Sequence, residues 1–253
     1  MDCMNYILIS IIITLMPLSS CSGTTNVQKK GSRDIQASEI IAQLDNGKHV
    51  YMDSCIIWGD LDFTRLRDRN RIASNLTRVF VNQSVSFNEC TFMGEVKGFD
   101  TEKGVSVEFM YNLSFIGCDF QDDVDFTEIT VRSNAFFSNS VFRGKANMQG
   151  AYFWHKKVYF SSVIFEGDAL FQNVIFMGDA YFLHTNFSMS AMFQKTNAMG
   201  LLFFGNTSFN GYADFTYARA LKSIFNYSEF YNRYDFGSSQ LNAEGLHENI
   251  LNK

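Results

Sequence analysis

Phenylalanine recurs through the second half of the chain at intervals that alternate between five and six residues. Continued from Phe115 to Leu241, the alternation gives 24 successive repeat centres, and every centre is apolar. An amphipathic helix would instead show apolar residues at intervals of three and four, which this segment does not. Because 27 Phe residues are too costly to leave in water, we expect most of them to be buried in a repetitive fold.

A second position follows the same period. The residue two places before each centre is small or β-branched, and extended backbone puts both residues on one face. Between these pairs, Gly, Asn, Asp and Ser dominate, as chain corners require. The small or β-branched residues are Cys118, Val124, Ala135, Ser140, Ala146, Ala151, Val158, Val163, Ala169, Val174, Ala180, Thr185 and Ala191.

This two-position pattern resembles the pentapeptide-repeat family, in its variant with Phe at the centre. The resemblance covers about residues 105–241, with outlying turns at Ile57, Phe63, Phe87 and Phe92. It implies an all-β fold, a right-handed quadrilateral β-helix in which one repeat forms each side. A coil of 22 residues then gives six coils from Phe115 to Leu241, or roughly 29 Å at about 4.8 Å per coil.

The register predicts that centres 22 residues apart stack on one another inside the solenoid. It slips twice, by one extra residue near 154–157 and one missing residue near 220–225. One predicted column contains Phe115, Phe137, Phe160, Phe182, Phe204 and Phe225, and another contains Phe120, Phe142, Phe165, Phe187, Phe209 and Phe230.

The N-terminus carries a separate signal. Residues 7–18 form an apolar run that is short for a membrane span and typical of a signal peptide. The run ends in Leu18-Ser19-Ser20-Cys21, which resembles the bacterial lipobox, although no Lys or Arg precedes it. The resemblance implies lipidation of Cys21 and a membrane-anchored lipoprotein of the bacterial cell envelope, on the periplasmic or outer-membrane side. An uncleaved anchor and a buried core segment are the alternatives.

Three further cysteines, Cys55, Cys90 and Cys118, each lie two residues before a repeat centre. Their spacing matches no zinc motif. We therefore predict buried thiols in the small inward position rather than metal ligands or disulfides.

The chain divides into five predicted parts. A short helix over 38–47, with Ser38 as N-cap and Gly47 as its end, is expected to cover the first coil. Residues 64–76 and 93–106 break the repeat and are predicted to be loops leaving the coil. The parts are a signal peptide (1–20), a flexible tether (21–33), an N-terminal cap with irregular first coils and loops (34–112), the regular β-helix (113–241) and a C-terminal cap (242–253).

No catalytic motif is present, so we predict no enzymatic activity, no cofactor and no metal site. The four His residues lack metal spacing, and the cluster at Asp122, Asp123 and Asp125 is typical of repeat corners. A net charge of −5, or −4 after cleavage before Cys21, argues against a nucleic-acid partner.

Two surface features stand out. Arg65, Arg67, Arg69 and Arg71 form a basic loop that could meet anionic headgroups or an acidic partner, or could be a solvated loop partly neutralised by Asp68. The second feature is an apolar stripe at outward positions on one face, either an interaction surface or aromatic shielding of the sheet. The stripe contains Phe136, Tyr159, Tyr181, Phe203 and Ile224, and follows Ser114.

The leading functional hypothesis is a non-enzymatic, lipid-anchored envelope protein. It would be anchored to the membrane by its lipid and would present a rigid rod to an unknown protein partner, or to a second copy in a homodimer. One alternative is a cytoplasmic, topoisomerase-binding DNA mimic, a role that some pentapeptide-repeat proteins play through an acidic rod. Another is an exported β-helix that binds carbohydrate, which would need paired carboxylates or an aromatic platform.

Overall fold

A computed structural model describes residues 33–155 and 157–246. In this part of the chain, short parallel strands stack coil upon coil into three sheets. Two strands continue around a corner, so one sheet covers two sides and the three sheets make four faces. The predicted four-sided β-helix with a short N-terminal helix is therefore confirmed. The predicted signal peptide, the tether before Arg33 and residues 247–253 lie outside the described residues.

The strands of faces 1 and 2 follow one another in each coil. Face 1 contains β2 (Val50–Asp53), β7 (Val85–Asn88), β12 (Leu113–Ile116), β16 (Ala135–Phe136), β20 (Lys157–Tyr159) and β24 (Asp179–Tyr181). Face 2 contains β1 (Arg33–Gln36), β3 (Cys55–Trp58), β8 (Thr91–Phe92), β13 (Asp119–Phe120), β17 (Val141–Phe142), β21 (Ile164–Phe165), β25 (Asn186–Phe187), β28 (Ser208–Phe209) and β31 (Glu229–Phe230).

The strands of faces 3 and 4 complete each coil. Face 3 contains β4 (Leu61–Asp62), β9 (Val96–Lys97), β14 (Val124–Asp125), β18 (Ala146–Asn147), β22 (Ala169–Leu170), β26 (Ala191–Met192), β29 (Ala213–Asp214) and β32 (Tyr234–Asp235). Face 4 contains β5 (Arg69–Ala73), β6 (Leu76–Val81), β10 (Phe99–Asp100), β11 (Val105–Phe109), β15 (Thr130–Val131), β19 (Tyr152–Phe153) and β23 (Ile175–Phe176). Two strands, β27 (Asn197–Phe203) and β30 (Arg219–Ile224), run from face 4 into face 1.

The solenoid begins earlier than the regular Phe repeat. Val50 starts a first coil and Val85 a second, ahead of the six predicted coils, so the described chain winds through eight. In the first of these coils the buried positions of β3 and β6 carry Ile57, Val79 and Val81 instead of Phe. Parallel pairing depends on the alternation of inward apolar and outward residues along each strand, and these residues keep that alternation. It does not depend on which apolar residue occupies the repeat centre.

The core consists of aromatic columns that run along the solenoid axis, as the register predicted. In the face 1 column the rings of Phe137 and Phe160 lie 4.7 Å apart, and the ring of Phe182 lies 4.9 Å from those of Phe160 and Phe204. The face 2 column from Phe120 to Phe230 has successive centroids 4.5–5.1 Å apart. These separations suit offset stacking, and they match the spacing that strand pairing imposes on successive coils.

The corners after faces 1 and 3 are tight because one residue in each adopts a left-handed conformation. Their φ angles lie between +50° and +66°, a region that Gly and Asn tolerate and other residues occupy at some cost. These are the corners with five-residue spacing. The left-handed residues are Ser54, Glu89, Gly117, Asn139, Ser162, His184, Asn206 and Tyr227 after face 1, and Glu128, Gly150, Asn173, Lys195, Tyr217 and Ser238 after face 3.

Helix α1 (Ala37–Asp45) packs against β1, β2 and β4 at the start of the solenoid. Buried Ile40 and Leu44 cover the core of the first coil. The prediction of Ser38 as N-cap is wrong: the N-cap is Gln36, whose backbone N–H donates to the Glu39 side chain at 3.3 Å. The helix starts early because β1, paired in parallel with β3, leads directly into it.

The two interruptions of the repeat are built differently. Residues 64–76 contain β5, which pairs antiparallel with β6 as a hairpin beside the coil. The prediction that residues 93–106 leave the coil is wrong for Val96 and Lys97, which form β9 between β4 and β14 on face 3. It is also wrong for Val105 and Ser106, which begin β11 and pair in parallel with β6 on face 4. Between these strands, β10 pairs antiparallel with the start of β11.

Truncation of one ring in the middle of a column should destabilise the whole rod. Phe182 is fully buried and stacks on both Phe160 and Phe204. We expect Phe182→Ala to lower the free energy of unfolding by about 3–5 kcal/mol, measured by urea denaturation. The neighbouring Leu183→Ala removes a partly exposed side chain from the same coil and should cost far less. Similar losses in the two variants would contradict the stacked core.

Candidate interaction surface

The predicted apolar stripe lies on the outside of face 1. Along β16, β20 and β24, buried inward residues alternate with half-buried outward ones. The outward residues that pair across successive coils are Phe136, Tyr159, Tyr181, Phe203 and Ile224. Ser114, one coil before Phe136, is buried. The stripe therefore runs over five coils of the outer surface.

The aromatic rings of the stripe form a second ladder, parallel to the internal one. Phe136 stacks on Tyr159 at 5.5 Å, and Tyr159 stacks on Tyr181 at 5.2 Å, with interplanar angles of 4° and 11°. Phe203 meets Tyr181 edge-on at 6.2 Å. The Tyr181 hydroxyl donates to Asp179 at 3.0 Å, and burial together with this hydrogen bond raises the pKa of Tyr181 to about 12. Tyr181 is therefore neutral at physiological pH.

Ring orientation decides what the stripe can bind. The faces of Phe136, Tyr159 and Tyr181 cover one another, so their edges point towards solvent. A sugar-binding platform needs an open ring face against which the sugar can lie. The ladder instead offers a narrow apolar surface made of ring edges, which suits packing against another apolar surface.

A second apolar feature borders the stripe, at the corner that leads from face 4 to face 1. Four residues, each following a face 4 centre, stack along the axis there with side chains directed to solvent. We call them the corner ridge. They are Trp154, Met177, Met199 and Leu221, with exposed fractions of 47%, 36%, 51% and 81%.

The sequence analysis did not single out the corner ridge. Its members occupy the position directly after the centres Phe153, Phe176, Ala198 and Ala220, so the register that identified the stripe contained the signal. Four successive coils carry an exposed apolar residue at this place.

The basic loop is not an open cationic patch. Arg65 pairs with Asp62 at 3.0 Å and Arg67 with Asp45 at 3.4 Å, although both arginines are largely exposed. Arg69 donates to the backbone carbonyls of Leu66 and Thr64, and Arg71 donates to those of Ala73 and Ser74. The predicted neutralisation by Asp68 is wrong, since Asp68 accepts a hydrogen bond from Asn82 at 2.6 Å.

The acidic cluster at residues 122–125 serves the corners. Asp123 accepts the backbone N–H of Lys145 at 2.7 Å, and Asp125 accepts both the N–H and the hydroxyl of Thr127. Asp122 accepts the N–H of Asp123. Within residues 33–155 and 157–246, no group of three or more His, Cys, Asp or Glu side chains is placed to hold a metal ion.

The cysteines occupy the small inward slot of face 2, as predicted. Cys55, Cys90 and Cys118 are buried in three successive coils and carry thiols rather than disulfides. In later coils the same slot holds Ser140 and Thr185, whose hydroxyls donate to backbone carbonyls of the preceding coil at 2.9 and 2.8 Å. The slot therefore takes any small residue that can bury its polar atom.

Cys21 lies outside the described residues, so its predicted lipidation remains a prediction. Among the described residues, no helix is long and apolar enough to cross a membrane.

Comparison with known proteins leaves the chain without an assigned family. No protein-family model matches it, and no curated protein matches it at a significant level.

The Cys90 thiol should make the fold sensitive to alkaline pH. Burial raises its pKa to about 11 from an ordinary value of 9.0. The protonated thiol is favoured in the fold, so its stabilising contribution is complete below about pH 9 and is lost as pH rises towards 11. We expect Cys90→Ala to show a shallower fall of the denaturation midpoint than wild type between these pH values. Parallel curves would contradict this role for Cys90.

Proposed function

We propose that this protein is a non-enzymatic lipoprotein of the bacterial cell envelope, anchored through Cys21, whose rigid β-helical rod binds a second copy or another protein. The observation that carries the proposal is the outer ladder of Phe136, Tyr159 and Tyr181. Core packing does not require it, because buried residues on both sides of each ring already fill the inside of face 1. We also propose that the protein is a member of the pentapeptide-repeat family, which its repeat pattern resembles.

The rod suits a role in binding because it holds the ladder rigid. Each coil is fixed to the next by backbone hydrogen bonds on all four faces, for example from Phe160 to the Tyr181 carbonyl at 2.7 Å. Stacked rings lose little further side-chain entropy when a partner covers their edges. A preorganised apolar strip of this kind favours association with a matching surface.

Self-association is the form of binding that we expect. A stripe that repeats at every coil offers its partner a surface with the same axial period, and another copy of this chain has that period. Two-fold pairing of identical patches is the commonest arrangement in homo-oligomers.

Opposite faces of the rod provide a matched test of self-association. The double substitution Tyr159→Ser and Tyr181→Ser removes the middle of the stripe, whereas Leu170→Ser and Met192→Ser changes outward residues of the same coils on face 3. Analytical ultracentrifugation should show a lower association constant, by about tenfold or more, for the first variant only. Equal association in both variants would exclude face 1 as the contact surface.

The lipid anchor has its own test. Cells given labelled palmitate should incorporate the label into wild type and into Cys3→Ala, which keeps the lipobox cysteine. Cys21→Ala should lose both the label and association with the membrane fraction. An unlabelled wild type found in the cytoplasm would contradict the envelope proposal, and a topoisomerase inhibition assay would then examine the DNA-mimic alternative.

A further inference from the structure

Within the regular β-helix (113–241), the corner ridge differs from the other corners in the variability of its length. Both register slips of the repeat fall there: the seven-residue step from Phe153 to Phe160 and the five-residue step from Ala220 to Phe225. Pairing between β27 and β30 shifts by one residue between Ala198 and Leu201. Where the corner is shortest, Leu221 is 81% exposed. Core packing therefore does not fix the length of this corner.

Glycines keep the ridge uncovered on its face 1 side. A Cβ atom on Gly200 would lie 2.8 Å from the carbonyl carbon of Gly178 in the preceding coil, so the two backbones approach too closely for a side chain between them. Gly178 and Gly200, which directly follow Met177 and Met199, therefore add no side chain of their own there, and the Asp179 carboxylate lies beside Gly200. The ridge extends over about 14 Å, at about 4.8 Å per coil.

Cations surround the ridge. Arg132, one coil before Trp154 in the same column, lies over the indole ring at 5.2 Å. Lys157 and Arg219 are exposed, and neither forms an ion pair with any of the described residues. Lys222 follows Leu221 and pairs with Glu244 at 3.1 Å, with both side chains half exposed. In the sequence, Lys156 adds a further positive charge next to Lys157.

The acidic groups near the ridge are engaged in the fold. Asp179 accepts both the Tyr181 hydroxyl at 3.0 Å and the Leu201 backbone N–H at 2.9 Å. Glu108 is buried between Arg78 and Arg132. The exposed charge beside the ridge is therefore predominantly positive, although the chain as a whole carries −5.

We propose that the corner ridge docks on an anionic lipid surface. Trp154, Met199 and Leu221 would enter the headgroup region, a depth of about 5–10 Å for interfacial segments. Tryptophan favours this boundary because its ring is apolar while its N–H remains hydrated. Lys157 and Arg219 would bind lipid phosphates while their aliphatic stems lie along the apolar surface. This goes beyond the proposed function and does not depend on acylation of Cys21.

Tryptophan fluorescence can test the contact at the ridge itself. The chain contains two Trp residues, Trp58 on face 2 and Trp154 on the ridge. In unlipidated full-length protein carrying Cys21→Ala, Trp58→Phe leaves Trp154 as the only reporter, and Trp154→Phe leaves Trp58. With vesicles of phosphatidylglycerol and brominated phosphatidylcholine, Trp154 emission should shift to shorter wavelength and be quenched by about half or more, while Trp58 stays unchanged.

A matched methionine pair tests the ridge without removing the reporter. Met199 and Met189 are 51% and 55% exposed, and Met189 lies at the corner after face 2. In the Trp58→Phe background, Met199→Glu should move the Trp154 emission shift to higher lipid concentration. The apparent affinity for vesicles should fall by about tenfold or more. Met189→Glu introduces the same charge and should leave affinity within about twofold of the parent.

Three results would overturn the proposal. Unchanged Trp154 emission while the protein sediments with vesicles would mean that another segment holds the membrane, and would leave the lipid-anchor proposal standing. An equal response to phosphatidylcholine alone would remove the role of the cations. A shift of Trp154 emission with protein concentration in the absence of lipid would identify the ridge as a contact between copies.

Discussion

In-register stacking of one coil on the next is the constraint on which the rest of this structure depends. Parallel pairing places equivalent residues about 4.8 Å apart along the axis, and flat aromatic rings fill that distance in an offset stack. A single residue type can therefore fill the same position in six coils, as from Phe115 to Phe225. Since each coil contacts only its neighbours, stability accumulates coil by coil and the ends need covering, which α1 does at the first coil.

The same stacking rule governs the outer surface, where it has a different consequence. Inside, stacked rings are enclosed by four faces, but on face 1 the rings of Tyr159 and Tyr181 are shielded by one another and by the neighbouring rings of the stripe. The outward rings stay half-exposed, so the ladder leaves apolar surface in contact with solvent. The surplus apolar surface on face 1 and on the neighbouring ridge is the physical basis for assigning both to contacts outside the chain.

Charge has a local role in this rod. Arg143 joins Asp119 and Glu166 across three coils of face 2, and such exposed pairs contribute little to stability. The arginines of residues 65–71 form ion pairs with nearby carboxylates and donate hydrogen bonds to nearby backbone carbonyls. These contacts stabilise the loop and explain why it is not an open basic surface. Lys157 and Arg219, which form no ion pair with a described residue, flank the apolar side chains of the ridge, and the Lys157 ammonium lies 5.9 Å from the centroid of the Tyr181 ring.

The sequence by itself determined the regular part of the solenoid, both aromatic columns and the outward stripe. Two positions with a constant period specify which side chains point inward, and parallel pairing then stacks equivalent residues of successive coils. The buried positions of Cys55, Cys90 and Cys118 could therefore also be predicted correctly. The start of α1 and the position of β9 were decided by tertiary contacts, because β1 pairs with β3, and β9, which is followed by Gly98 instead of a Phe centre, pairs with β14. Only the tertiary structure showed which residues beside the stripe are uncovered. At Met177 and Met199 the exposed side chains adjoin a close backbone approach of Gly178 and Gly200 in adjacent coils, a contact that periodicity alone does not predict.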